Sequence, residues 1–476
     1  MAVAPLEIVT AIKGKRELST LDDAYVRERI QKILKKERRI SEKIAQSKSF
    51  KEFSRSAEFK ALKSLVREEL RKVYGVFQKE KKKGERGKNE NASPEEKLLS
   101  HRSSAERYAY YEEIYKKLFS ITGKPTTLLD LGCGANPYSY AMLGCTPYYV
   151  AVDLPSSDLQ EIADFFRKRK IEGEVLGVDL VNNYAKVGLL LESNHFDVAF
   201  LFKLLDSLET VKRNISGKLL DAVNATWLVV SFPTVSIGGK KHIKKERRAW
   251  FEKLLARKGW YYEELSVGNE VFYLVLKDPI ALSKRYYAAN AKDLTAKYVT
   301  DMTPEADIFG KFLKTGKVLD MGCGPGRDTR MLRLRGYDMT GIDQNAQFLR
   351  VAKRRNQGVR FVEGDFRMLP FKDGEFDGVW SMASIVHLYD DDLKRVLEEY
   401  RRVLKRGGKL LVTGKEGKSR LNERHGAQVF FRHDTKEELE RFITDAGFTV
   451  LHAEIRPKRT KIHEQLDFVY IIAEKK

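Results

Sequence analysis

The chain has 476 residues, 33% of them charged, and a formal net charge of +21. That length exceeds one ordinary domain, so two or three compact units are expected, and the charge points to a polyanionic partner such as nucleic acid, although a membrane surface would also attract it. No run approaches the roughly eighteen apolar residues of a membrane span, the opening MAVAPLEIVTAIKGKRE lacks the core of a secretory signal, and the three cysteines make neither a disulfide framework nor a CxxC metal site. A cytoplasmic protein without a bound metal is expected.

Residues 1–98 contain no strand-like run, and apolar residues recur at helical spacing in AYVRERIQKILKKERRI and FKALKSLVREELRKVYGVF. This predicts a basic helical domain, with roughly 26 basic against about 16 acidic residues, read either as an RNA-binding surface or as a solvated helical face. The hydrophilic stretch at 79–97 lacks apolar periodicity and reads as a linker. From 99 onward short β-branched or aromatic runs alternate with helical ones, the pattern of a parallel sheet flanked by helices, and the pattern occurs twice. A first domain over 99–278, a connector over 279–300 and a second domain over 301–476 are predicted, each domain closing on an antiparallel strand pair.

The repeat is visible in the acids. Asp130 ends TTLLD and Asp320 ends KVLD; 23 residues on, Asp153 ends YYVAVD and Asp343 ends MTGID, so both pairs share one offset of 190 residues. Asp179 in VLGVD and Asp365 in FVEGD match at a drifting spacing. Between strand and helix the second copy has Gly322, Gly324 and Gly326, which allow a tight turn and close approach of backbone to ligand. A dinucleotide fingerprint would seat pyrophosphate there, but an acid two residues before the first glycine repels pyrophosphate and pairs with an ammonium. An acid at the end of the second strand accepts ribose hydroxyls, and a third accepts from an adenine amino group. Amino acid, ribose and adenine together are S-adenosylmethionine. The arrangement resembles the class I methyltransferases, which implies two Rossmann-like, seven-stranded α/β domains in tandem, with Asp320, Gly322, Gly324, Gly326, Asp343 and Asp365 at the donor of the second. The first loop keeps Gly132 and Gly134 but has Asn136 where a third glycine is expected, the mark of a degenerate copy or of a distinct subfamily.

A set of motifs favours the subfamily. HRSSAERYAYYEEIY from His101, DLGCGANPY from Asp130, FDVAFLFKLLDSLE from Phe196, SFPTVSIGGK from Ser231 and GNEVFYLV from Gly268 resemble the aminoglycoside-resistance 16S rRNA guanine-N7 methyltransferases over residues 25–276. The resemblance implies a basic helical domain that docks on folded small-subunit rRNA, with tRNA kept as another structured RNA. By motif it implies Arg107 at the donor's carboxylate, Asp130, Gly132 and Gly134 at its amino-acid end, Asp153 at its ribose, Asp179 with Leu180 at its adenine, and Phe202 and Lys203 at the mouth of the site. Leu208-Glu209-Thr210-Val211 departs from the family, which tends to have Gln after its Leu-Glu pair.

The chemistry agrees with that implication. Guanine N7 carries its own lone pair, so transfer needs no general base and positioning supplies the catalysis. The chain has neither a Pro-Cys nucleophile for pyrimidine C5 nor the Asn/Asp-Pro-Pro-aromatic motif of amino-group methylation. Lys203 either shapes the potential around the base or is a partly exposed lysine after a strand. Lys240, Lys241, Lys244, Lys245, Arg247 and Arg248 follow the fifth strand as a candidate RNA-phosphate contact.

The second domain resembles the functionally mixed type-11 methyltransferases through its glycine loop, its acids and LKRVLEEYRRVLKRGGKLLV from Leu393. That names the cofactor and leaves the acceptor open. His387 in SIVHL stands where acceptor-side residues sit, or is structural. A small-molecule or lipid methylase fused to an RNA-targeting module, and a non-catalytic RNA-binding copy, are the competing readings.

Overall fold

A computed structural model describes residues 6–15, 18–71, 92–184, 194–235, 242–297, 302–417, 420–424, 427–459 and 465–476. The chain divides into two compact units, Met1–Lys277 and Asp278–Lys476.

The first unit opens with helices Leu6–Lys13, Asp23–Leu34, Arg38–Gln46 and Ala57–Leu70. Local chemistry sets their starts: Asp22 accepts from the Tyr25 N–H and Ser56 from the Phe59 N–H, each satisfying a donor the first turn leaves free. Their apolar stripes meet in a small core built on Val9, Val26, Ile30, Leu62 and Val66, which also takes in Leu154 from the sheet domain. The helical segment is therefore packed onto the domain that follows it.

That domain is a sheet of β1 (Thr127–Leu131), β2 (Tyr148–Asp153), β3 (Gly173–Gly177), β4 (Phe196–Phe202), β5 (Ala225–Pro233), β6 (Tyr262–Val267) and β7 (Glu270–Leu276) in the order β3-β2-β1-β4-β5-β7-β6. The pairs among β1 to β5 are parallel, whereas β7 runs antiparallel to both β5 and β6. Every residue of β4 and β7 is buried, as strands covered on both faces require.

The second unit repeats the plan with β8 (Lys317–Met321), β9 (Asp338–Asp343), β10 (Arg360–Glu363), β11 (Phe376–Ser381) and β12 (Leu404–Lys415). A hairpin of β13 (Arg420–Arg424) and β14 (Ala427–Phe431) follows, then β15 (Phe448–Arg459) and β16 (Gln465–Lys475); the main sheet is ordered β10-β9-β8-β11-β12-β16-β15. The hairpin has no counterpart among the described strands of the first unit. Helix Pro279–Ala289, capped by Asp278, lies where a connector is expected, and its Tyr286 packs with Phe348, Val429 and Phe431 of the second unit. Among the described residues no helix is long and apolar enough to cross a membrane.

Candidate active sites

In a doubly wound sheet the ligand crevice lies outside the carboxyl ends of the strands where their order reverses, here between β1 and β4. Gly132 and Gly134 turn the chain there with φ of 66° and 51°. At Gly132 an added Cβ would stand 2.6 Å from Leu204 Cδ1, so a side chain has no room. The Gly134 N–H donates to Asp153 Oδ2 at 2.7 Å and the Leu154 N–H to Asp153 Oδ1 at 2.7 Å, which ties the glycine turn to the end of β2. Burial pushes the Asp153 carboxyl above its ordinary range against the pull of those N–H groups.

Asp130 is buried and accepts from the Tyr149 hydroxyl at 2.5 Å and from Asn136 Nδ2 at 2.9 Å; burial nevertheless lifts its carboxyl to about 6. Asn136, standing where the third glycine is expected, has its Oδ1 3.4 Å from Arg107 Nη1. The departure from the glycine pattern is thus an amide bridging Asp130 and Arg107.

Arg107 is buried. Its Nε donates to both Glu270 oxygens at 2.9 and 3.1 Å, Nη2 donates to Ser103 at 2.8 Å, and Nη1 makes only 3.4 Å contacts, to Tyr111 and Asn136. Lys203, the first residue after β4, holds φ 52° and places Nζ 2.7 Å from Glu106 and 3.3 Å from Glu270. Ser231 on β5 donates to the same Glu270. Glu270 therefore gathers two buried cations and a hydroxyl; it lies inside the GNEVFYLV motif, but the motif gave it no role, and its local mark is an acid opening the apolar run EVFYLVL. Phe202 lies under this network rather than at a mouth, stacked on Phe200 at 4.4 Å with the Arg107 guanidinium 5.0 Å above its ring.

Asp179 departs from the expectation. Its Oδ1 accepts from the Val181 and Asn182 N–H groups, and its Oδ2 from Tyr25 at 3.1 Å, from Asn182 Nδ2 and from Arg29 Nη2. Five donors on a carboxylate with about four lone-pair sites leave none for an adenine amino group. Leu180 is buried in the core beside it.

The second unit has the same frame. Gly322, Gly324 and Gly326 take φ of 68°, 52° and 80°, and the Gly324 N–H donates to Asp343 Oδ2 at 2.9 Å. Nothing lies within 4 Å of a Cβ placed on Gly324, so backbone is open to a ligand there. Asp320 accepts from Thr329 at 2.6 Å; burial, with the Asp328 charge beside it, lifts its carboxyl to about 8. Asp365 is gripped by Arg367, whose Nη2 lies 2.7 Å from Oδ2, and despite part burial its carboxyl is held below the ordinary range. His387 is clamped: Nδ1 stands 2.7 Å from the Phe430 carbonyl and Nε2 3.0 Å from the Tyr287 hydroxyl, so it braces the hairpin and helix Pro279–Ala289 against the sheet.

Of the basic run after β5, Lys240 and Lys241 lie outside the described residues. Lys244, Lys245 and Arg247 are exposed, Lys245 standing 3.4 Å from Glu264. Arg248 is buried and hydrogen-bonded to Tyr273, so it is a packing residue and not part of an RNA-facing cluster.

Two sheets of this order, each with a glycine turn closed onto the acid that ends its second strand, define a pair of class I S-adenosylmethionine-dependent methyltransferase domains. Residues 65–275 match the ribosomal RNA methyltransferase (FmrO) family model and 319–412 a methyltransferase domain model. The chain is 30% identical to a 16S rRNA (guanine(1405)-N(7))-methyltransferase of Serratia marcescens over 40% of its own length and 72% of the relative's. It is 31% identical to a protein of that name from Frankia casuarinae over 37% of its length and 61% of the relative's, so it spans about three fifths of that protein. A solved 16S rRNA methyltransferase in complex with S-adenosyl-L-homocysteine, 23% identical, superimposes with a TM-score of 0.44 over 58% of this chain and 99% of that one. The chain belongs to the FmrO ribosomal RNA methyltransferase family through its first unit, and its second unit is a further methyltransferase domain.

Proposed function

We propose that the first domain methylates guanine N7 in small-subunit rRNA, or in another structured RNA such as tRNA, and that the second is a methyltransferase whose acceptor is open. The observation that carries this reading is the Arg107–Glu270–Lys203 network beside the Gly132–Asp153 turn. Arg107 Nη1, whose present contacts are long, is the arm that takes the donor's carboxylate; Asp130 faces its ammonium and Asp153 its ribose. The bound donor would supply the electrophilic methyl. Lys203 is ion-paired to Glu106 and Glu270, and guanine N7 has no proton for a base to remove. Methylation leaves the purine positively charged, and Glu106, partly exposed beside Lys203, is the anion placed to face it.

An RNA partner is supported by charge distribution. A groove of about 740 Å³ is lined by Lys15, Lys60, Lys63, Arg67 and Arg71 against one acid, Glu68, with Thr210 of the sheet domain on its wall. Such a cluster neutralises phosphates while shape is read. Thr210 is also where the sequence departs from the pattern of the family it resembles. For the second domain, the hydrogen bonds of His387 to the Phe430 carbonyl and Tyr287 support its structural reading, and a small-molecule or lipid acceptor is the alternative to RNA.

The test is methyl transfer from labelled S-adenosylmethionine to small ribosomal subunits, free rRNA and tRNA, with nucleoside analysis. We expect 7-methylguanosine that disappears with Asp153→Ala and persists with Asp343→Ala. RNA left unlabelled by the parent protein would overturn the reading.

A further inference from the structure

The resemblance makes the basic helical segment an RNA-docking unit. In this chain it grips both acid-bearing loops at the carboxyl end of the sheet. After Asp153 the chain runs through Leu154, Pro155, Ser156 and Ser157. Leu154 is buried in the helical core, the Pro155 carbonyl accepts from the Asp22 N–H at 2.9 Å, the Ser157 N–H donates to the Thr20 carbonyl at 2.8 Å, and Leu21 bridges to Ser156. After β3 the chain runs through Val178 and Asp179 to Asn182. Here Tyr25 and Arg29 of helix Asp23–Leu34 hold Asp179, and Lys32 of the same helix donates to Asn182 Oδ1 at 3.1 Å. The loops are also tied to each other, since the Val178 N–H donates to the Asp153 carbonyl at 2.8 Å.

The Arg29–Asp179 pair is buried, with each side chain 2% exposed, and Arg29 lies 5.0 Å over the Tyr25 ring. Removing Arg29 leaves the buried Asp179 carboxylate with neutral donors only, from Tyr25, Val181 and Asn182, and takes away the ion pair that ties the loop to the helix; neutralising both removes the unpaired charge. We propose that Arg29 is a positioning residue of the first donor site: by fixing Asp179 it holds the Val178–Asn182 loop as the wall facing the donor's base, making helix Asp23–Leu34 part of the cofactor site. This rests on the reading that the donor lies against Asp153.

Binding of S-adenosyl-L-homocysteine to the full chain is measured by calorimetry in an Asp343→Ala background, so that the first site is counted. Arg29→Gln should weaken binding at least tenfold, and the neutral pair Arg29→Gln/Asp179→Asn should return to within about threefold of the parent. In steady state Arg29→Gln should raise KM for the donor and leave kcat within about twofold. Ser56→Ala removes the cap of helix Ala57–Leu70, loosening the same helical layer without touching either loop, and should leave donor affinity within twofold. Arg29→Gln binding within twofold of the parent, or an equal loss in Ser56→Ala, overturns the inference. Asp153→Ala separates the two failures: if it loses binding while Arg29→Gln does not, only this inference falls, whereas unchanged binding in Asp153→Ala means the donor lies elsewhere and the underlying reading falls.

Discussion

Asp130 and Asp320 hold the same place in two copies of one fold and differ in proton affinity for reasons visible around each. Asp130 has two strong donors, Tyr149 and Asn136, and burial lifts it to about 6; Asp320 has Thr329 but also the Asp328 charge nearby, and reaches about 8. A carboxyl whose folded-state pKa is raised stabilises the unliganded fold at low pH. That contribution is lost as pH climbs from the ordinary carboxylate range through about 8, because the buried group must then ionise. Donor binding runs the other way, since an ammonium pairs with the ionised form. In an Asp153→Ala background the unfolding temperature of the unliganded chain should fall between pH 5 and 8 while the increment from S-adenosyl-L-homocysteine grows; an increment independent of pH would remove Asp320 from the ammonium. Glu270 is the opposite case, an anion whose value lies in two buried cations. Glu270→Gln leaves Arg107 and Lys203 without it and should cost about 3–5 kcal/mol of stability in denaturant unfolding, with loss of RNA methylation. A cost below about 1 kcal/mol would mean that the cations find other partners.

The turn after the fourth strand shows how one backbone serves two chemistries. Lys203 and Ala383 are both non-glycine residues in the left-handed region, at φ 52° and 54°. Each N–H is held by a hydroxyl on the fifth strand, Ser231 at 3.0 Å and Thr413 at 2.8 Å. Left-handed backbone at such residues is a cost that functional sites tolerate. Because the second unit already has alanine there, Lys203→Ala adds no backbone strain, and Glu270 keeps Arg107. It should unfold at a higher denaturant concentration than Glu270→Gln, bind donor normally and lose at least tenfold in kcat on RNA; unchanged kcat would make Lys203 a structural cation only. Glu270 itself faces Pro233 across β5 and β7, whereas the matching pair in the second sheet is Lys415 and Phe468. The acid is a feature of the first copy alone, and the two acceptor sides have diverged at this register position.

For the molecule as a whole, the two donor sites sit in separate sheets, so Asp153→Ala and Asp343→Ala should each reduce S-adenosyl-L-homocysteine stoichiometry from two per chain to one. Loss of both sites in either variant would contradict independent domains. The net charge of +21 predicts RNA affinity that falls steeply with salt. Lys244 and Lys245 are exposed, so their joint reversal to Glu should lower the log–log salt slope by about 1.5, since each phosphate no longer neutralised removes about 0.7–0.9. An unchanged slope would place the RNA on the groove around Lys60 and Lys63 alone. Arg248, although adjacent in sequence, should not change the slope, because it is turned into the core beside Tyr273.

The tandem sheets, the glycine turns closed onto strand-ending acids and the rRNA methyltransferase resemblance were legible in the sequence, because turn glycines and strand-ending acids act within a few residues of one another and leave a local, repeated pattern. Partnerships across long separations were not legible. Glu270 meets Arg107 across 163 residues and Asp179 meets Arg29 across 150, and neither pairing leaves a periodic trace. The same limit explains Asp179 and Arg248, whose residue types fitted an adenine contact and a phosphate contact. Packing supplied each with a buried partner first, and a charge removed from water takes the nearest complementary group the fold provides.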